Sequence, residues 1–416
     1  MSSLPPQNPY IAGSALGGER GFFGREDILR EVERTLRREE DNAIVLYGQR
    51  RIGKTSILLQ LQRRLPSPPF IPIYFDLMDK ASLPLYEVLY KLASNTATEL
   101  NLTAPNYADF ENTPTAFDQN FLPQLYQTLS DDFRLVYLLD EFDVLDTGDQ
   151  QDLAETTAAR TFFPYLRQLM TTQPRLNFVF VVGRRMEELS INFLSTFKAA
   201  DARAVSVLNP ETARTLILQT EHTGVLHYEN SAVKHILSLT RGHPYLTQLT
   251  CQRLFDYAVD LSLDPFTITV NDVEAAIPAV LEAGKNAFQW IWDGLPPAER
   301  IIFSAIAGQT EAGGVLSEAD ITTVLQEAGI RILVRELNLA PQTLVDWQML
   351  ERVDGGYRFF IELLRRWVAE YRPLDRVKDE LDRINPLADT LYQAAQGFTD
   401  KKTMSKQKIN YANRYR

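Results

Sequence analysis

Residues 45–61 read VLYGQRRIGKTSILLQL and change character three times. An apolar, partly β-branched run, Ala43–Tyr47, gives way to a loop with two glycines and three cations, then to apolar residues at helical spacing. Cations crowded between a buried strand and a buried helix, here Arg50, Arg51 and Lys54, point to an anion in the loop. Gly48, Gln49, Arg50, Arg51, Ile52, Gly53, Lys54 and Thr55 satisfy G-x-x-x-x-G-K-[ST], followed by Ser56, in the strand–loop–helix context the pattern requires. Its glycines let successive backbone N–H groups converge on phosphates. The helix starting near Lys54 turns its positive dipole end to the same point. Lys54 then pairs with the β- and γ-phosphates of a nucleotide, and Thr55 offers a hydroxyl to Mg2+. The plain alternative is a glycine turn that binds no anion.

Further β-like runs recur along the chain: residues 70–77, 134–140, 177–183 and 202–207, separated by helical stretches. Several are apolar throughout rather than alternating, as in strands buried on both faces of a parallel sheet. The expected fold class is α/β, a P-loop parallel sheet sandwich with its ligand site at the strand carboxyl ends. Residues 1–20, rich in Pro, Gly and Ser, read as an irregular arm, and 21–208 as the nucleotide-binding domain. After Pro210 the strand signals mostly stop, and 209–285 read as a small helical domain. Residues 286–372 read as helices, a hairpin around Asp354-Gly355-Gly356 and a further helix, the pattern of a winged helix. Residues 373–416 read as a linker, one partial helical repeat and a basic tail. One such unit cannot bury its own face, so either a longer array or a disordered end is expected.

The run LVYLLDEFD ends an apolar strand in Asp140-Glu141. With a phosphate loop present, Asp140 suits Mg2+, through water, and Glu141 suits the orientation or deprotonation of an attacking water. Acids that merely cap the next helix are the alternative, and Asp143 and Asp146 are read as helix-start or loop acids. Arg184 and Arg185 follow the fourth strand, where a guanidinium can read a γ-phosphate. A surface pair facing Glu187 and Glu188 is the alternative. In RGHPYL, Pro244 suits a helix first turn, and His243 reads as structural. Four His and one Cys leave no ligand set for zinc.

Composition narrows the class. The chain has 416 residues, 45% hydrophobic and 23% charged, with a net charge of −11. That suits a folded acidic protein of two or three domains, not one coated in basic surface. The single Cys251, a polar N-terminus and no apolar run of about 18 residues lead to the expectation of a cytoplasmic protein with no membrane partner.

These pieces together resemble the STAND class of P-loop NTPases, regulatory switch ATPases of the AAA+ lineage. The resemblance spans residues 8–372 and rests on NPYIAG, GFFGRE, GQRRIGKTS, LLDEFD, GRR after the fourth strand, GHP and the winged helix. It implies a helical lid at 209–285, ATP/ADP with Mg2+ as cofactors, and Phe23, Gly24 and Arg25 against the adenine and ribose. It also implies Arg184 as γ-phosphate sensor, making it catalytic with Glu141 and Lys54, and Pro244 packed on the base. Such proteins rest with ADP, exchange to ATP on a signal and form homo-oligomers with protein partners. The chain departs from the class in lacking a recognisable effector, a full repeat array and a Met-His-Asp triplet.

Two other functions stay open. A DNA-acting AAA+ ATPase would grip DNA through the winged helix, yet residues 290–372 hold eight arginines, no lysine and twelve acids, the wrong sign for phosphate contact. A nucleotide-binding scaffold without turnover is the third reading.

Overall fold

In a computed structural model of the chain, the described residues are 7–18, 20–38, 42–146, 154–184, 189–197, 200–223, 226–261, 266–330 and 334–384. They form two compact units, Met1–Ile291 and Trp292–Arg416.

The first unit is built on a five-stranded sheet. In chain order its elements begin with α1 (Glu26–Leu36), β1 (Ala43–Tyr47), α2 (Lys54–Arg64), β2 (Phe70–Asp76), α3 (Leu85–Glu99), α4 (Tyr107–Phe110) and α5 (Leu122–Thr128). Then come β3 (Arg134–Asp140), α6 (Ala158–Thr172), β4 (Leu176–Val182), α7 (Ile191–Thr196) and β5 (Asp201–Ala204). The strand order is β2-β3-β4-β1-β5, and every pairing is parallel. Residues of β1 alternate between two cores. Ala43 and Val45 join the side covered by α3, α5, α6 and α7, while Ile44 and Leu46 join the side covered by α1 and α2. Each fully buried Leu or Ile on these faces contributes roughly 1.5–3 kcal/mol. This two-sided burial explains why the strands are apolar throughout. The last strand, Asp201–Ala204, is shorter than its sequence run, and its pairing with β1 closes on the Val205 N–H bond to Tyr47 O.

The chain runs from β1 past two strands to the far edge, steps back through β3 and β4, and then passes over β1 to β5. The loops after β1, β3 and β4 therefore share one end of the sheet, the crevice such topologies use for ligands.

The same unit continues with α8 (Pro210–Ile217), β6 (Leu226–Tyr228), α9 (Asn230–Thr240), α10 (Pro244–Asp260), β7 (Phe266–Ile268) and α11 (Val270–Ala283), and ends at Ile291 within α12 (Lys285–Asp293). Asn209 caps α8, and Thr269 with Asp272 forms a capping box on α11. The parallel pair β6–β7 went unanticipated, since three residues per strand are too few for a period-2 signal.

The second unit holds α13 (Pro297–Gln309), α14 (Glu318–Glu327), α15 (Val334–Asp346), β8 (Leu350–Val353), β9 (Gly356–Phe359), α16 (Glu362–Tyr371) and α17 (Leu374–Ile384). β8 and β9 pair antiparallel around Asp354-Gly355, where a hairpin was expected. α17, in a stretch read as linker, is a helix packed on α13. The expected partial repeat and basic tail, 385–416, lie outside the described residues. Among the described residues no helix is long and apolar enough to cross a membrane.

Candidate functional site

The loop after β1 is held open by cations from outside and inside. Lys54 is the first residue of α2 and only 6% exposed, and its Nζ donates to the carbonyls of Gly48 and Gln49, each at 2.8 Å. Arg25 donates to Ile52 O at 3.1 Å and to Ser206 O at 2.7 Å. Three loop carbonyls are thereby occupied by charge-assisted bonds. Gly53 precedes α2 with φ +98°, a conformation costly for other residues. No side chain caps α2 and no acid lies in its first turn, so its positive end is left for a ligand. Burial pushes the Lys54 pKa down, while Glu141, Asp143 and Asp140 pull it back up.

At the end of β3, Asp140 is 2% exposed. Its carboxylate accepts from Glu141 N–H at 3.1 Å and from the Tyr74 hydroxyl at 3.1 Å, and the Thr55 hydroxyl lies close enough to act on it. Thr55 and Asp140 are thus side by side, as a shared Mg2+ requires. Burial raises the Asp140 pKa, and the Thr55 and Tyr74 bonds oppose it. Glu141 sits at φ +49°, and its buried Oε2 has no hydrogen-bond partner. Burial, and then the neighbouring Asp143, raise the Glu141 pKa, with Lys54 opposing. A carboxylate in that state is disposed to take a proton.

Arg184 is placed differently from the expectation. Its Nε donates to Asp143 Oδ2 at 3.3 Å, and its Nη2 donates to Asp143 O and Asp146 O. Asp143 also accepts from Gly183 N–H at 2.9 Å. The buried Asp143 and Asp146, read as loop acids, instead gather the chain after β4, and they hold Arg184 out of the cavity lining.

A cavity of about 540 Å³ opens over the phosphate loop, within the usual size for a small-ligand site. Phe23, Arg25, Arg50, Arg51, Ile52, Gly53, Lys54, Thr55, Ser56, Glu141 and Pro244 all line it. Gly24, Gly48, Gln49 and Asp140 are not among its lining residues. Gly24 has a packing role, since at φ +62° a Cβ there would lie 2.2 Å from Thr212 Cγ2. Arg25 serves the loop backbone rather than presenting a free guanidinium to a sugar.

Several lining residues carried no local signal. Gln248 of α10 accepts from Ile11 N–H at 3.2 Å and donates to Gly21 O at 3.1 Å, fastening the chain at two points before α1. The middle of the arm is held by Ser56, which accepts from Leu16 N–H, and by Gln60, which donates to Leu16 O and Gly18 O. The described part of the arm, residues 7–18, is irregular, as expected, but pinned, with Tyr10 buried and bonded to Ile217 O and Tyr228. Tyr245, Trp290 and Met78 complete the mouth.

A family model described as an ATPase domain predominantly from Archaea matches residues 22–151. The sequence matches no curated protein. A Walker-type ATPase of Pyrococcus abyssi is similar in structure, with a TM-score of 0.59 and 16% identity, over 83% of this chain and 96% of that one. RuvB of Thermotoga maritima, a Holliday junction branch migration motor, aligns with a TM-score of 0.43 and 15% identity, over 81% and 92%. The Orc1 protein of Aeropyrum pernix, in complex with DNA, aligns at 0.42 and 16%, over 86% and 94%. At such identities the first likeness speaks for the fold alone. The family match and the loop geometry agree on one conclusion: residues 22–151 hold a P-loop domain of the ATPase type.

Proposed function

We propose that the protein is an ATP-binding and hydrolysing regulatory switch of the STAND kind that forms a homo-oligomer with ATP. The observation carrying this reading is the meeting of Lys54, Thr55 and Glu141 on one cavity, with the buried Asp140 beside Thr55. Residues 209–285 act as the lid, contributing Pro244, Tyr245 and Gln248, and 286–372 as a winged helix.

Backbone N–H groups of the loop and the Lys54 ammonium bind the β- and γ-phosphates, and Phe23 and Pro244 flank the base. Thr55 and Asp140 would hold Mg2+, which supplies charge neutralisation at the phosphates. The Glu141 carboxylate orients the attacking water and takes its proton as the oxygen bonds to the γ-phosphorus. The bond to the leaving ADP oxygen breaks in the same displacement. A ligand shifts a two-state equilibrium only by its differential affinity for the states. The γ-phosphate, present in ATP and absent in ADP, supplies that difference through Lys54.

Glu141→Gln is nearly isosteric but cannot accept the proton, so the variant accumulates with ATP bound. With ATP and Mg2+, light scattering is expected to show a larger homo-oligomer than wild type with ADP, without DNA. A monomer in both states that assembles only on duplex DNA would sink the switch and favour a DNA-acting ATPase. Absence of single-turnover hydrolysis in wild type would favour the scaffold reading.

A further inference from the structure

Tyr74 is the donor to Asp140 that the phosphate site itself does not account for. Thr55 and the Glu141 N–H belong to the phosphate loop and to the strand's own continuation, whereas Tyr74 comes from the neighbouring strand and lines no part of the cavity. In the β2–β3 register Tyr74 lies opposite Leu138, and Asp76 lies opposite Asp140. Side chains alternate along a strand. Ile73 and Phe75 face the α3/α6 core, so Tyr74, Asp76 and Asp140 share the side facing α2. The Tyr74 ring packs against the α1/α2 core, among residues such as Val136 and Leu138, and delivers its hydroxyl to Asp140 Oδ2 at 3.1 Å.

That placement answers a specific difficulty. Two carboxylates, Asp76 and Asp140, stand abreast at adjoining strand ends, and like charges there repel. Asp76 is exposed, and its Oδ1 is occupied by Met78 N–H at 2.8 Å. Asp140 is buried, and a rotation away from Asp76 would break its alignment with Thr55. An ionised carboxylate offers about four acceptor positions. The Tyr74 hydroxyl and the Glu141 N–H orient the group and leave acceptor capacity for a metal.

We propose that Tyr74 is a positioning residue for the metal-binding carboxylate, its hydroxyl fixing Asp140 so that Asp140 and Thr55 address one Mg2+. This role rests on the nucleotide and Mg2+ reading of the site. It acts through Asp140 and touches neither substrate nor reacting atoms. Loss of such an outer partner typically lowers metal affinity or activity about 10–100-fold.

The test is calorimetric titration of the full chain and of Tyr74→Phe with a non-hydrolysable ATP analogue, in Mg2+ and in EDTA. The Phe ring preserves the core packing, and a urea unfolding curve without nucleotide reports on the fold. The expected result is equal affinity for the two proteins in EDTA, with the gain conferred by Mg2+ reduced about 10–100-fold in Tyr74→Phe. An equal Mg2+ gain in both proteins would overturn the role. So would an equal loss in Mg2+ and EDTA, which would make Tyr74 a packing residue. Absence of any Mg2+ gain in wild type would overturn the metal reading, and this role with it.

Discussion

The guanidinium of Arg51 lies over the ring of Trp290, 5.0 Å from its centroid. Tyr245 stands 5.4 Å from the same guanidinium, and Arg51 Nη1 donates to Gly13 O at 3.0 Å. Arg51 itself sits at φ +64°, an unfavourable backbone for a non-glycine residue. One side chain thus joins the phosphate loop to the arm, to α10 and to α12. Trp290 remains 47% exposed at the cavity mouth, where its environment changes if the loop cations turn to a phosphate.

Nucleotide binding is therefore expected to change tryptophan emission, and Trp290→Phe to remove that change although three other tryptophans remain. Each cation–π contact is worth roughly 0.5–1 kcal/mol at such sites. Arg51→Ala is expected to weaken nucleotide binding about tenfold, through both lost contacts and the lost charge. Unchanged emission on saturation with ATP would show that the mouth does not respond.

Arg184 must leave Asp143 and Asp146 to reach a γ-phosphate. A charge-assisted bond of that kind is worth about 1.5–3 kcal/mol. Arg184→Ala is expected to weaken ATP at least about tenfold more than ADP. Calorimetry with both nucleotides decides it, because equal losses would leave Arg184 the single task of gathering the loop after β4.

Gly24 and Thr212 tie the start of the ATPase domain to α8. Gly24→Ala combines a positive φ with a contact no Cβ can make. Strain and overpacking together are expected to cost about 2–4 kcal/mol in chemical unfolding. Adding Thr212→Ala should recover the steric part and leave the smaller conformational cost. A double variant as unstable as the single one would place the clash elsewhere.

His243 caps α10 by accepting from Leu246 N–H at 3.4 Å, and it is fully buried. Burial, with Arg25 adding to it, pushes its pKa down to about 3. The unfolded chain takes up a proton near pH 6.5, as free histidine does. The contribution to stability is therefore complete above about 6.5 and is lost as the pH falls towards 3. His243→Asn keeps a capping acceptor without the titration. Between pH 6.5 and 5, wild type should lose roughly 1.5 kcal/mol more than the variant. A difference that does not change with pH would assign the acid sensitivity to another group.

What could be read along the chain was what depends on near neighbours. Gly48 to Thr55 specify a phosphate loop because the glycine conformations, the helix start and the lysine all lie within eight residues. The β1, β3 and β4 strands announce a two-sided sheet because burial on both faces demands apolar residues at every position. Asp140 and Glu141 follow from their position at a strand end. Arg25, by contrast, finds Ser206 O across 181 residues, and Gln248 finds Ile11 across 237. The identity of an arginine, a glutamine or a tyrosine states what it can donate or accept but not which distant strand or helix will stand beside it. Tyr74 on Asp140, Arg184 on Asp143 and Arg51 on Trp290 are consequences of the sheet order and of the packing of α10 and α12, and these arise only when the whole unit closes around its two cores.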